Sequence, residues 1–279
     1  MPRLSVVIPA FNNEDFIEDA VRSVLSQHDA DFELIVADHS STDSTWSLLH
    51  TFADDPRVTL LTTPSGGGAP ANWRRVSEAA TGEYLKLLPG DDLLYPGALA
   101  AHIAALDANP GVVLVSSPRD IIDARGGVTI RKRGLQGVKR TRQPGVDVVR
   151  TTIRRGTNVF GEPGCVTMRR ETLEAAGGWD GQFPYLIDQT SYSRVLFRGD
   201  YLPVDHAYAA FRVNSAQWSV ALVNDQASQA KAYHRWCREQ APNDISAADV
   251  WWGNRKAEAM ALARRGYYLV NGKRMRAAA

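Results

Sequence analysis

The first half of the chain alternates short apolar runs with segments whose apolar positions recur every three or four residues. Leu4-Ser5-Val6-Val7-Ile8 is apolar and β-branched and is stopped by Pro9, the pattern of a buried strand. Residues 14–26 then place Phe16, Ile17, Ala20, Val21, Val24 and Leu25 on one face of a helix. Further strands are predicted over residues 32–37, 58–61, 84–88 and 112–116. Helices fall between them: one carrying Trp46, Leu48, Leu49 and Phe52, one over residues 71–80 behind a Gly-rich loop at 64–70, and one over 96–108. Strands alternating with helices imply right-handed crossovers. The expected fold is α/β, a doubly wound, mainly parallel sheet with helices on both faces.

The second half is less regular. Residues 124–146 read as a loop with seven Lys or Arg and no acid. A helix is predicted over 146–154, a strand over 165–168 and a short helix to 176. Gly177-Gly178-Trp179-Asp180 reads as a turn and 188–197 as a helix. Strands at 201–204 and 207–213 and two helices within 222–265 complete the pattern. The expected organisation is a ligand-binding half (1–117), a second half (118–214) and a helical C-terminal extension (215–279).

Composition narrows the function. Hydrophobic residues make up 44% and charged residues 23% of the chain, and the formal net charge is +1. No global field points to nucleic acid. Two distant cysteines, Cys165 and Cys237, form neither a disulfide framework nor a metal cluster, which suggests a cytoplasmic protein. No apolar run approaches the roughly 20 residues that span a bilayer.

In open α/β sheets, ligands sit outside the carboxyl ends of the strands. Pro9-Ala10-Phe11-Asn12, Asp38 and Asp91-Asp92 all follow predicted strand ends. Adjacent carboxylates at such a turn suit a hard divalent cation, which takes one or two carboxylates plus substrate phosphates. They also suit the start of the next helix. Asp38 could accept the imide N–H of uracil or thymine or simply form a turn. Gly66-Gly67-Gly68 permits close approach to a ligand, but no P-loop or dinucleotide fingerprint is present. Asp188 reads as a general base for a sugar hydroxyl or as a helix cap. Glu162 could bind acceptor hydroxyls. The basic run Arg131-Lys132-Arg133, with Lys139, Arg140 and Arg142, is a solvated loop or a lid over an anionic substrate.

Together, Val6-Val7-Ile8-Pro9-Ala10-Phe11-Asn12-Asn13-Glu14, Val36-Ala37-Asp38-His39-Ser40-Ser41-Thr42-Asp43 and Gly82–Asp92, with its terminal Pro89-Gly90-Asp91-Asp92, resemble family 2 glycosyltransferases of the GT-A fold. Gly177-Gly178-Trp179-Asp180 and the Asp188 helix ending before Gly199 resemble that family's acceptor half. The resemblance covers roughly residues 4–214. It implies an inverting transfer of one sugar from a UDP- or dTDP-linked donor to a glycan or lipid-linked hydroxyl. It implies nucleotide contacts from Pro9, Ala10, Phe11, Asn12 and Glu14, a base contact from Asp38, and a ribose or sugar contact from Asp91. Gly68, Asn72, Lys86 and Glu162 complete the expected substrate contacts. Asp92 would hold Mn²⁺ or Mg²⁺, and Asp188 would be the catalytic base.

The chain departs from the family pattern at His39, Pro89, Ile187 and Asn214, where acids or a histidine are usual. Metal binding is therefore expected to be weaker or completed by water. A Gln-x-x-Arg-Trp motif is missing, since Ala232 precedes Arg235-Trp236, so polymer synthesis is not expected. Two alternatives stay open: a non-catalytic nucleotide- or glycan-binding protein, and a sugar-phosphate nucleotidylyltransferase. The latter wants a Gly-rich, basic phosphate loop after the first strand, which Pro9-Ala10-Phe11-Asn12 lacks. Finally, Arg264-Arg265-Gly266-Tyr267-Tyr268 with Lys273, Arg274 and Arg276 could rest on an anionic membrane surface.

Overall fold

A computed structural model describes residues 1–215, 222–271 and 275. Its centre is an eight-stranded sheet in the order β3-β2-β1-β4-β10-β6-β11-β9. The strands are β1 (Leu4–Ala10), β2 (Phe32–Asp38), β3 (Val58–Thr62), β4 (Tyr84–Leu87), β6 (Val112–Ser116), β9 (Gln143–Pro144), β10 (Val166–Arg169) and β11 (Asp200–Pro203). β1 pairs in parallel with β2 and β4. β10 enters antiparallel between β4 and β6. All seven residues of β1 and all five of β6 are buried. Strands covered on both faces read as continuous apolar runs, which is why these two were visible in the sequence.

The helices of the first half are α1 (Ile17–Leu25), α2 (Thr45–His50), α3 (Gly68–Glu78) and α4 (Ala98–Asp107). α3 begins inside the segment expected to be a Gly-rich loop. Gly67 sits at its N-cap with φ 78 and Pro70 falls in the first turn, where a missing N–H costs nothing.

The basic segment 124–146 is not simply a loop. β5 (Leu93–Leu94), β7 (Arg119–Asp123), β8 (Val128–Arg133) and β12 (Ala209–Val213) form a second sheet in the order β5-β12-β7-β8. Arg119 pairs with Arg133, but Ile121 pairs with Ile130. Two residues of β8 therefore oppose one of β7, which is a β-bulge. Lys132 takes φ 49 within it. The bulge breaks the alternation that strand recognition needs.

α5 (Gly145–Arg155), α6 (Arg170–Ala175) and α7 (Ile187–Leu196) cover the second half. α8 (Gln226–Gln240) and α9 (Ala247–Asn271) form the helical C-terminal region. α9 packs closely on α5, because a Cβ on Gly253 would lie 2.3 Å from the Ile153 carbonyl oxygen. Among the described residues no helix is long and apolar enough to cross a membrane.

Candidate active site

The parallel strands β1 and β2 end side by side, with Ala10 opposite Asp38. The loops that leave them are zipped together. Asn12 N–H donates to Ser41 Oγ at 2.9 Å, Asn13 N–H to Thr45 Oγ1 at 2.7 Å, and Thr42 N–H to Asn12 Oδ1 at 2.9 Å. Ser44 N–H donates to Glu14 Oε2 at 2.9 Å. Glu14 is thereby a brace between loops and is not part of the cavity wall described below.

Asp38 is 4% exposed, and its Oδ2 accepts the Ser41 N–H at 3.1 Å. Its Oδ1 is buried with no hydrogen-bond partner among the described residues. His39 Nδ1 lies 2.9 Å from Thr63 Oγ1, while its Nε2 is likewise buried and unpartnered. Buried polar atoms are rarely left unpaired in folded proteins. Two of them lie here on consecutive residues at the end of β2. Asn72 Nδ2 donates to the Ala10 carbonyl at 3.3 Å.

The acidic pair follows β4. Gly90 permits the turn to approach Asn13, since a Cβ there would lie 2.8 Å from Asn13 Oδ1. Asp91 Oδ2 accepts from Asn214 Nδ2 at 2.7 Å, and Asp92 Oδ1 accepts the Arg212 N–H at 2.8 Å. Arg212 is 3% exposed. It donates to the Asp91 carbonyl at 2.8 Å and lies 4.8 Å over the Phe16 ring. Burial pushes the Asp91 carboxyl above its ordinary range. Burial and then the neighbouring Asp91 charge push Asp92 well above it. A cation beside the pair would relieve both effects. Two oxygen-donor side chains fit Mn²⁺ or Mg²⁺ completed by substrate phosphates and water, although no cluster of three or more His, Cys, Asp or Glu exists among the described residues.

Lys86 is fully buried and donates to the Gly164 and Val166 carbonyls at 2.9 and 3.0 Å. Burial lowers its pKa to about 7. Expected as a substrate contact, it instead lies behind the wall and pins the turn that carries Glu162.

One cavity of about 950 Å³ connects these parts. Pro9, Phe11, Asn12, Gly68, Asn72 and Asp91 line one side, and Glu162 and Asp188 the other. Ala10, Asp38 and Asp92, expected as contacts, are buried and are not among the residues that line it. Asp188 Oδ2 accepts from Asn158 Nδ2 at 3.1 Å. Burial pushes the Asp188 carboxyl up to about 7, and the nearby Glu162 charge adds to the rise. Glu162 is held by Arg119, whose Nη2 donates to Oε1 at 2.6 Å and whose Nε faces Oε2.

The sequence reading did not single out Arg119, Asn158, Arg212 or Tyr185. Arg212 had a signal: it is a lone guanidinium in a strand whose neighbours, Phe211 and Val213, are apolar. Gly177-Gly178-Trp179-Asp180 does not line the cavity. Trp179 is buried between Trp73 and Tyr192, with ring centroids 5.1 and 6.0 Å away. It thereby joins α3 of the first half to α7 of the second.

The helical C-terminal region supplies a wall. Met260, Arg264, Tyr267 and Tyr268 of α9 line the cavity. Arg264 donates through Nη1 to the Tyr185 hydroxyl and to Gln226 Oε1. Three residues expected at a membrane surface thus face inward. Lys273, Arg274 and Arg276 lie outside the described residues.

A family model described as glycosyl transferase family 2 matches residues 5–177. A Mycobacterium tuberculosis protein, MT1568, is 29% identical over 265 residues, 90% of this chain and 81% of the relative. A GalNAc(5)-diNAcBac-PP-undecaprenol beta-1,3-glucosyltransferase of Campylobacter jejuni is 35% identical over 102 residues. That match spans 36% of this chain and only a third (33%) of the relative. Among solved structures, Staphylococcus aureus TarS 1-349 in complex with UDP-GlcNAc superposes with a TM-score of 0.69 at 17% identity, covering 89% of this chain and 69% of that one. A Pyrobaculum calidifontis mannosyltransferase in complex with GDP-Man and Mn²⁺ gives 0.64 at 18% identity, covering 95% and 75%. At such identities the structural likenesses establish the GT-A-like fold.

Proposed function

The chain belongs to glycosyl transferase family 2, and from that premise we propose that it moves one sugar from a UDP- or dTDP-linked donor to a hydroxyl of a glycan or lipid-linked acceptor, with inversion. The observation that carries this reading is the single cavity joining the strand-end nucleotide edge to Asp188, a carboxylate whose pKa is about 7. A base poised near neutral pH is what proton abstraction from a sugar hydroxyl requires.

The orphaned Asp38 Oδ1 would accept the imide N–H of the base, with His39 Nε2 beside it. Pro9, Phe11, Asn12, Gly68 and Asn72 would flank the nucleotide. Mn²⁺ or Mg²⁺ held at Asp92 with Asp91 beside it would neutralise charge on the departing diphosphate. Asp188 takes the acceptor proton, the acceptor oxygen forms its bond to the anomeric carbon, and the sugar–phosphate C–O bond breaks on the opposite face. The nucleoside diphosphate leaves with the bonding electrons. The transition state has oxocarbenium character. The acceptor class named for the Campylobacter relative, a polyprenyl-diphosphate glycan, supports a lipid-linked acceptor here.

The test is a thermal-shift screen of nucleoside diphosphates with and without Mn²⁺, followed by transfer assays with the matching sugar donors. Ligands that bind only the folded state raise its melting temperature. We expect UDP or dTDP to give the largest shift. Binding without turnover of any donor would replace the enzyme reading with a non-catalytic one.

A further inference from the structure

The basic run in β8 is resolved residue by residue. Arg131 faces Asp120 at 3.7 Å, and Lys132 faces Asp205 at 3.9 Å. Arg133 does neither. A regular strand with Ile130 on the cavity face would turn residue 133 to the other face. The bulge at Lys132 returns Arg133 to the face of Ile130, and both line the cavity.

Arg133 meets no carboxylate there among the described residues. Burial, and then the positive charges of Arg119 and Arg264, hold its pKa below the ordinary value. Glu162, the acid whose charge reaches it, is itself ion-paired with Arg119. Arg264 lines the same cavity and its partners, Tyr185 and Gln226, are neutral. Two guanidinium groups therefore face one cavity without a carboxylate partner among the described residues. Partly buried cations set beside one another are costly unless something anionic completes them.

We propose that Arg133 and Arg264 form an oxyanion subsite on the acceptor side of the cavity, which takes a phosphate ester or diphosphate group of the acceptor. This deepens the transferase reading and rests on it. Two forked donors match an oxyanion with about two charges and several oxygens. A sugar carboxylate brings one charge and a neutral glycan none.

The probe is glucose 1-phosphate, followed by ³¹P NMR on the full chain saturated with UDP. Glucuronate and methyl glucoside are added as competitors. We expect glucose 1-phosphate to bind the UDP-loaded protein, glucuronate to displace it weakly and methyl glucoside not at all. Arg133→Gln should weaken phosphate binding at least tenfold, while Arg133→Lys, which keeps the charge and loses the fork, falls between. Arg131→Gln should leave it unchanged. The Arg133 side chain has no hydrogen-bond or ion-pair partner among the described residues, and its backbone contacts are kept in the variants, so they should melt within a few degrees of the parent. The proposal is overturned if UDP displaces the phosphate, if Arg133→Gln binds it within twofold of the parent, or if glucuronate binds more tightly. Failure of UDP to bind at all would instead sink the donor assignment. The Arg133 effect would still be read from the same resonance without UDP.

Discussion

The two sides of the cavity are built differently. The side formed by β1, β2 and the turn after β4 is made of neighbouring strand ends whose loops lock together through short polar side chains and backbone N–H groups. The side around Asp188 is assembled from charged and aromatic groups on β7, β8, α7 and α9, elements far apart in sequence. The first side is preorganised by the sheet itself. The second depends on ion pairs and helix packing, and there small changes re-aim side chains. A transferase that keeps a constant donor chemistry and varies its acceptor needs this division.

The sharpest break of that comparison is Asp188→Asn. We expect transfer to fall by about 10²–10⁴-fold, with nucleotide affinity unchanged in calorimetry. Loss of both together would show that the two sides are not separable. Next is the seam: Trp179→Ala should cost roughly 3–5 kcal/mol, read as a lower denaturation midpoint with a single transition. Two transitions would mean that the halves fold independently. Asp38→Ala should weaken nucleotide binding by about 1–3 kcal/mol, the range for a buried hydrogen bond, with the residual turnover keeping its pH profile.

The smallest effect is a titration. With Asp188 raised from 3.8 to about 7, the rate should climb as pH rises through about 7, because the base must be ionised. Stability should run the other way. The folded state holds a proton there that the unfolded state releases, so stability falls between pH 3.8 and about 7. In Asp188→Asn both slopes should flatten. An unchanged stability slope would place the titrating group elsewhere.

Much of the first side was legible in the sequence, because buried parallel strands are unbroken apolar runs and their ends fix where a ligand sits. That logic put Asp38, Asp91 and Asp92 at strand ends, where the structure also has them. Glu14 and Lys86 were named for the right neighbourhood, but sequence position does not tell a brace from a contact. The second side was legible only in part. Asp188 stood out through its helix. Arg119, Asn158 and Arg264 reach the cavity from segments that have no periodicity in common. The strand at 128–133 was hidden by its bulge and its charge.

That bulge has a consequence for how such a protein diversifies. Deleting Lys132 alone would remove the bulge and leave Arg133 two positions after Ile130, still on the cavity face. The strand can therefore lose or keep one residue here without altering what the cavity presents to an acceptor, so length variation at this point is silent where replacement of the arginine is not. If a folded protein lacking Lys132 held glucose 1-phosphate much more weakly than its parent, the bulge itself would be part of the subsite.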